Sequence, residues 1–160
     1  VAAHSLIALG KTSRNLYLVD TDESLPRPDA EEDGDMWGNR AIEGWTPLSV
    51  GKEKSNWAEA AEEEVRANLY ATGYPAERVH LVKGMVERTI PDAAPDRIAL
   101  LRLDTDWYAS TKHELEQLFD RLSLHGVVII DDYGDCKGAR KAVDEYFKNR
   151  RIPSLCDRID

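Results

Sequence analysis

Apolar positions in this chain follow two spacings that alternate from one end to the other. Runs of four to six residues, Leu16–Val19, Val79–Val82, Ile98–Leu103 and Gly126–Ile130, are too short for helices, and the last two are nearly unbroken. Rich in Val, Ile and Leu, they predict strands covered on both faces. Between them the apolar residues recur at helical spacing. Leu6, Ile7 and Leu9 precede Gly10; Trp57, Ala61, Val65 and Leu69 precede Gly73; Leu115, Leu118, Phe119 and Leu122 fall between the last two strands. Ala139, Ala142, Val143, Tyr146 and Phe147 share one face of a helix predicted over 135–150, and Val86–Ile90 predicts a short helix stopped by Pro91. Asn56-x-x-Glu59 and Thr111-x-x-Glu114 have the form of capping boxes. A final strand is expected from Ile152 to Ile159. Strands alternating with helices predict an α/β fold with a mainly parallel sheet.

The stretch 21–56 departs from this pattern. Pro26, Pro28, Gly34, Gly38, Gly44, Pro47 and Gly51 interrupt any periodicity and predict a long loop. Loops of this length are usually functional covers or disordered. Trp37, Trp45 and Trp57 lie in or beside it, which suits either a lid over a ligand or a loop that packs its indoles on the body.

Candidate chemistry collects at the strand ends. The strand at Ile98–Leu103 runs into Asp104-Thr105-Asp106, and the one at Gly126–Ile130 into Asp131-Asp132. With a helix between them, the two strands run parallel and their carboxyl ends emerge at one edge, where open α/β sheets bind ligands. Four converging carboxylates repel one another unless a cation or shared protons compensate, and hard oxygen donors suit Mg²⁺, Mn²⁺ or Ca²⁺. The bland alternative is that strand ends collect Asp for solubility and capping. Asp20, at the end of the first strand, is placed either to accept hydrogen bonds from the ribose of a nucleotide-like cofactor or to cap a turn.

Size and charge narrow the class. The 160 residues, 18.0 kDa, are enough for one domain with a real core. A formal charge of -9 and a pI near 5.0 argue against nucleic-acid or anionic-membrane surfaces. Two cysteines, Cys136 and Cys156, fit reduced thiols in a cytoplasmic protein better than a disulfide framework or a zinc site. No apolar stretch approaches the ~20 residues of a membrane span, and no export signal is evident.

Taken together, Asp104-Thr105-Asp106-Trp107-Tyr108-Ala109-Ser110-Thr111, the helix after it, and Val127-Val128-Ile129-Ile130-Asp131-Asp132-Tyr133-Gly134-Asp135, followed by Lys137-Gly138-Ala139-Arg140-Lys141-Ala142-Val143, resemble the macrocin O-methyltransferase family. The similarity extends through Leu16–Asp20, Leu25-Pro26, Asn68–Pro75 and Val79–Gly84. The resemblance implies a Rossmann-like class I methyltransferase sheet, S-adenosylmethionine and Mg²⁺ as cofactors, and a small-molecule glycoside as acceptor; a homo-oligomer is compatible with it. It makes Asp104, Asp131 and Asp132 the metal ligands and Asp106 the general base, with Asp20 binding ribose and Gly84-Met85 lying near the adenine. The chemistry agrees: a sugar hydroxyl is a poor nucleophile, and a cation that binds vicinal hydroxyls lowers their pKa while a carboxylate accepts the proton.

Two departures from the family pattern stand out. Ser123-Leu124-His125-Gly126 replaces Ser-Pro-Gly-Gly in an expected surface turn, a change expected to be harmless. The family's first strand and glycine-rich loop should precede Val1, and no G-x-G cluster occurs. That strand normally lies between those at Leu16 and Ile98, so its loss would leave two apolar edges. The expectation is a single truncated domain over 1–160, a fragment or a degraded reading frame. Two further readings stand beside the enzyme: an inactive or subunit-like remnant, and a haloacid-dehalogenase-like phosphohydrolase, whose Asp-x-Asp and later Asp-Asp follow the same outline.

Overall fold

The structure is a computed structural model and describes residues 1–21, 25–52, 55–57 and 61–153. In chain order it has α1 (Ala2–Ala8), β1 (Leu16–Asp20), α2 (Ala41–Trp45), α3 (Glu62–Ala71), β2 (Val79–Lys83), α4 (Val86–Thr89), β3 (Ile98–Leu103), α5 (Tyr108–Leu118), β4 (Leu122–Ile130) and α6 (Lys137–Arg150). This is the expected α/β order.

The chain forms two compact units, 1–26 with 48–94, and 27–47 with 95–160. Each is built on one parallel strand pair among the described residues. In the first, β1 pairs with β2 in unbroken register from Leu16↔Val79 to Asp20↔Lys83. Tyr17 stacks on its register partner His80 with ring centroids 4.4 Å apart. Gly10 follows α1 and Gly73 follows α3, both with positive φ, as their stop positions predict.

In the second unit β3 pairs with β4, and α5 packs on β3 and on α6. Leu101 and Leu103 alternate with exposed Leu100 and Arg102, so the pair is covered on one face. Leu100 and Val127, register partners, are both more than half exposed, which corrects the expectation of two covered faces. Leu115, Leu118, Ala139, Ala142 and Val143 complete this core. Fully burying a side chain such as Leu115 contributes about 1.5–3 kcal/mol.

Several local expectations need correction. Helix α5 begins at Tyr108, one turn before Thr111, so Thr111 and Glu114 are not a capping box; both are buried inside the helix. Thr105 Oγ1 donates to Glu114 Oε2 at 2.8 Å instead, which ties the loop after β3 to the helix. Helix α3 begins at Glu62, not at Asn56, whose expected partner Glu59 lies outside the described residues. Among its described residues the Pro- and Gly-rich stretch carries a short helix, α2, whose Ala41 and Trp45 are buried on the same side four residues apart, followed by a 3-10 turn at Thr46–Leu48. The Ser123–Gly126 turn lies within the span of β4 as an irregularity. Ile98 pairs with Leu122 and Leu100 already with Val127, so four residues bulge out, with His125 at φ 65. The strand expected from Ile152 falls mostly outside the described residues. Among the described residues no helix is long and apolar enough to cross a membrane.

Candidate functional site

Each strand pair carries sequence-predicted site residues at its carboxyl end. In the first unit, Asp20 closes β1 and Gly84 follows β2. The Gly84 N–H donates to the Asp20 carbonyl at 2.8 Å. Gly84 sits at φ 141, and a Cβ there would lie 2.8 Å from Thr89 Cγ2, so only glycine fits this turn. Met85 then precedes the first residue of α4, and the three residues meet at one edge of the β1–β2 pair.

In the second unit the four carboxylates do converge. Asp104, Asp131 and Asp132 each place an oxygen within 4.8 Å of the others, and Asp106, Asp132 and Cys136 form a second such group sharing Asp132. The backbone explains the packing. Asp104 directly follows β3, while Asp131 and Asp132 open a 3-10 turn directly after β4, so adjacent parallel strands deliver them together. Asp106 sits at φ 60 in a tight turn closed by Trp107 N–H to Thr105 O at 2.6 Å. This left-handed conformation is costly for most side chains but tolerated by Asp, and it turns the chain straight into α5.

Like charges at this spacing cannot all ionise freely. Burial pushes Asp106 upward, an effect increased by Asp104 and Asp131 and opposed by a hydrogen bond with Asp132. Asp132 is pushed up to about 7, first by burial and then by the charge and hydrogen bond of Asp106. The two carboxyls therefore titrate as one coupled pair. Asp104 is raised by burial, with Arg102 pulling the other way. The buried Oδ2 of Asp132 accepts no hydrogen bond among the described residues. A bare, buried carboxylate oxygen beside two more acids suits a hard divalent cation, and the three-Asp oxygen set fits Mg²⁺ chemistry.

Sequence reasoning missed four contributors. Arg102 bonds both Asp104 and Asp131, at 2.6 and 2.7 Å; strand alternation, which puts Arg102 and Asp104 on one side, could have revealed half of this. Cys136 lies against Asp106 and Asp132, and burial with the surrounding acids pushes its thiol up to about 12, so it stays protonated. Asp33, buried, accepts the N–H groups of Tyr108 and Asp29, both at 2.8 Å. Burial pushes its carboxyl up while those two amides pull it down. The fourth is the segment around Asp33 itself. Lys137 N–H donates to Gly34 O at 2.7 Å, Met36 N–H to Asp135 O at 3.0 Å, and Lys141 pairs with Glu32. No local signal announces contacts across so many residues.

Comparisons with known proteins follow the same lines. A demethyldecarbamoylnovobiocin O-methyltransferase from Streptomyces niveus is 35% identical over 133 residues, covering 83% of this chain and 47% of the relative. An 8-demethyl-8-(2,3-dimethoxy-alpha-L-rhamnosyl)-tetracenomycin-C 4'-O-methyltransferase from Streptomyces olivaceus is 35% identical over 155 residues, 97% of this chain and 55% of its own length. The solved structure of the O-methyltransferase NovP superimposes with a TM-score of 0.76 at 30% identity, over 97% of this chain and 60% of that one. A calicheamicin methyltransferase, at 19% identity and TM-score 0.58, shares the fold. The chain spans about half the length of the curated relatives it matches. With the macrocin-O-methyltransferase (TylF) model matching residues 2–160, the chain belongs to that family.

Proposed function

We propose that this chain carries the acceptor-activating site of a Mg²⁺-dependent O-methyltransferase that moves a methyl group from S-adenosylmethionine to a sugar hydroxyl of a glycosylated natural product. The observation that carries this is the cluster Asp104, Asp131 and Asp132, with a bare buried oxygen on Asp132 and a fourth carboxylate, Asp106, beside it. The relatives' names, which speak of O-methyl transfer to demethyldecarbamoylnovobiocin and to a rhamnosyl-bearing tetracenomycin, support the reading.

Asp104, Asp131 and Asp132 would hold Mg²⁺, which supplies positive charge that makes a nearby hydroxyl more acidic. S-adenosylmethionine supplies the methyl group on a sulfonium. Asp106 would accept the proton that the acceptor hydroxyl gives up when its oxygen takes the methyl group from the sulfonium. Asp106 is suited to this because it lies beside the cluster as a fourth carboxylate that the cation does not need. Burial keeps Asp106 a stronger base than a solvated carboxylate. In the first unit, Asp20 would accept hydrogen bonds from the ribose hydroxyls of the cofactor, and Gly84 and Met85 would lie near its adenine. Residues 27–47 supply part of the long connection that covers the acceptor, and Trp37, three-quarters exposed, presents an indole there. The site works in the cytoplasm, where S-adenosylmethionine and reduced thiols are both found.

Role-specific substitutions test this. Asp106→Asn abolishes methyl transfer while Mg²⁺ binding measured by calorimetry is kept, and Asp131→Ala weakens Mg²⁺ binding itself. Loss of Mg²⁺ affinity in Asp106→Asn with activity retained reverses the role assignment. A folded wild-type chain that binds neither S-adenosylmethionine nor Mg²⁺ supports the remnant reading instead.

A further inference from the structure

The carboxylate cluster contains a cation of its own. Arg102 lies two residues before Asp104, so both side chains leave β3 on the same side. Across the strand pair its register partner is Ile129, two residues before Asp131. The guanidinium closes the square: Nη1 lies 2.6 Å from Asp104 Oδ2 and Nη2 lies 2.7 Å from Asp131 Oδ2. One planar fork thus joins the residues that directly follow two adjacent strands.

We infer that Arg102 is a positioning residue that clamps Asp104 and Asp131 at the spacing a divalent cation needs, and thereby sets the affinity of the site. This rests on the cation reading proposed above. Each carboxylate has two oxygens, and Arg102 engages one of each, so each keeps a second oxygen in the cluster that includes the bare Oδ2 of Asp132. Without the clamp, the two carboxyls lose the cation that bridges them, and the repulsion between their like charges is no longer offset. The opposing effect is the positive charge of Arg102, which repels a metal ion. The Arg102 side chain is 52% exposed, so water screens that repulsion, whereas the geometric constraint is not screened. A lysine keeps the charge but cannot form the two-armed contact.

Partners that orient metal ligands typically contribute about 10- to 100-fold in affinity. The test is a Mg²⁺ titration by calorimetry, repeated with Mn²⁺ by electron paramagnetic resonance, on wild type, Arg102→Lys and Arg102→Met. Circular dichroism checks that each chain is folded. The expected result is that both variants bind at least about tenfold more weakly, with Arg102→Lys nearly as impaired as Arg102→Met. If Arg102→Met binds as tightly as wild type or more tightly, Arg102 is only a counter-charge and the inference is wrong. If Arg102→Lys matches wild type, charge and not the fork is what matters, which also overturns it. Failure of the wild type to bind either ion removes the cation reading itself, a result distinct from both.

Discussion

Gly138, at the start of α6, is a sharp test of how the structure holds the site together. A Cβ at this position would run into Asp33 Oδ1 and lie 2.8 Å from the backbone nitrogen of Tyr108. On helix propensity alone, Gly138→Ala should stabilise by up to about 1 kcal/mol. Here the added methyl must displace the Asp33 carboxylate, which accepts N–H groups from both Tyr108 and Asp29. Hydrogen bonds to a charged group contribute roughly 1.5–3 kcal/mol each, so losing both outweighs the propensity gain and leaves a net cost of about 2–5 kcal/mol. At a urea slope of about 2 kcal/mol per molar, the unfolding midpoint falls by roughly 1–2.5 M. Urea titration followed by circular dichroism reads this directly. The double variant Asp33→Ala/Gly138→Ala isolates the cause: with the carboxylate gone, the glycine substitution becomes neutral or stabilising relative to Asp33→Ala alone. A Gly138→Ala chain as stable as wild type, or an equal cost in both backgrounds, refutes the reasoning.

Two further outcomes follow from the same geometry. Asp132 holds its proton to about pH 7 in the folded chain, above the usual carboxylate value in the unfolded one. Its contribution to stability is therefore complete at low pH and is lost as pH rises through 7, the reverse of a salt-bridged acid, and Asp104 and Asp106 shift in the same direction. With a chelator present, the urea midpoint should fall between about pH 5 and 8, and Mg²⁺ should restore it more at pH 8 than at pH 5; a flat or rising profile contradicts this. Trp37 is held on a turn in which Asp35 accepts the N–H groups of Trp37 and Asn39, at 2.9 and 2.8 Å. If its indole contacts the acceptor, Trp37→Ala raises KM for the glycoside by roughly three- to tenfold with KM for S-adenosylmethionine unchanged, and an unaltered glycoside KM removes it from the site.

The parts of the fold visible in the sequence are those governed by local pattern. Strands β1, β2 and β3 and the short helix α4 lie within a residue of their expected limits, because an apolar run bounded by Gly, Pro or Asp leaves few alternatives. Convergence of Asp104, Asp106, Asp131 and Asp132 followed from the strand-helix-strand order alone. Thr111 and Glu114 misled because the capping-box pattern also suits two polar residues buried one turn inside a helix, where their partner is Thr105. Asp33 was illegible: an acid in a Pro- and Gly-rich loop looks solvated until the fold brings Tyr108 and Gly138 against it. Cys136 was passed over for a similar reason, since its neighbours Asp106 and Asp132 come from two different strand ends.

The central claim is that the carboxylate cluster uses a divalent cation to activate a sugar hydroxyl. The most direct measurement incubates the chain with S-adenosylmethionine and a panel of glycosylated natural products, with Mg²⁺ or with a chelator, and follows the methylated product by mass spectrometry. The account predicts product with Mg²⁺, none with chelator, and recovery when Mg²⁺ is restored. Methylation that proceeds unchanged in chelator, or that survives Asp104→Ala and Asp131→Ala together, contradicts it.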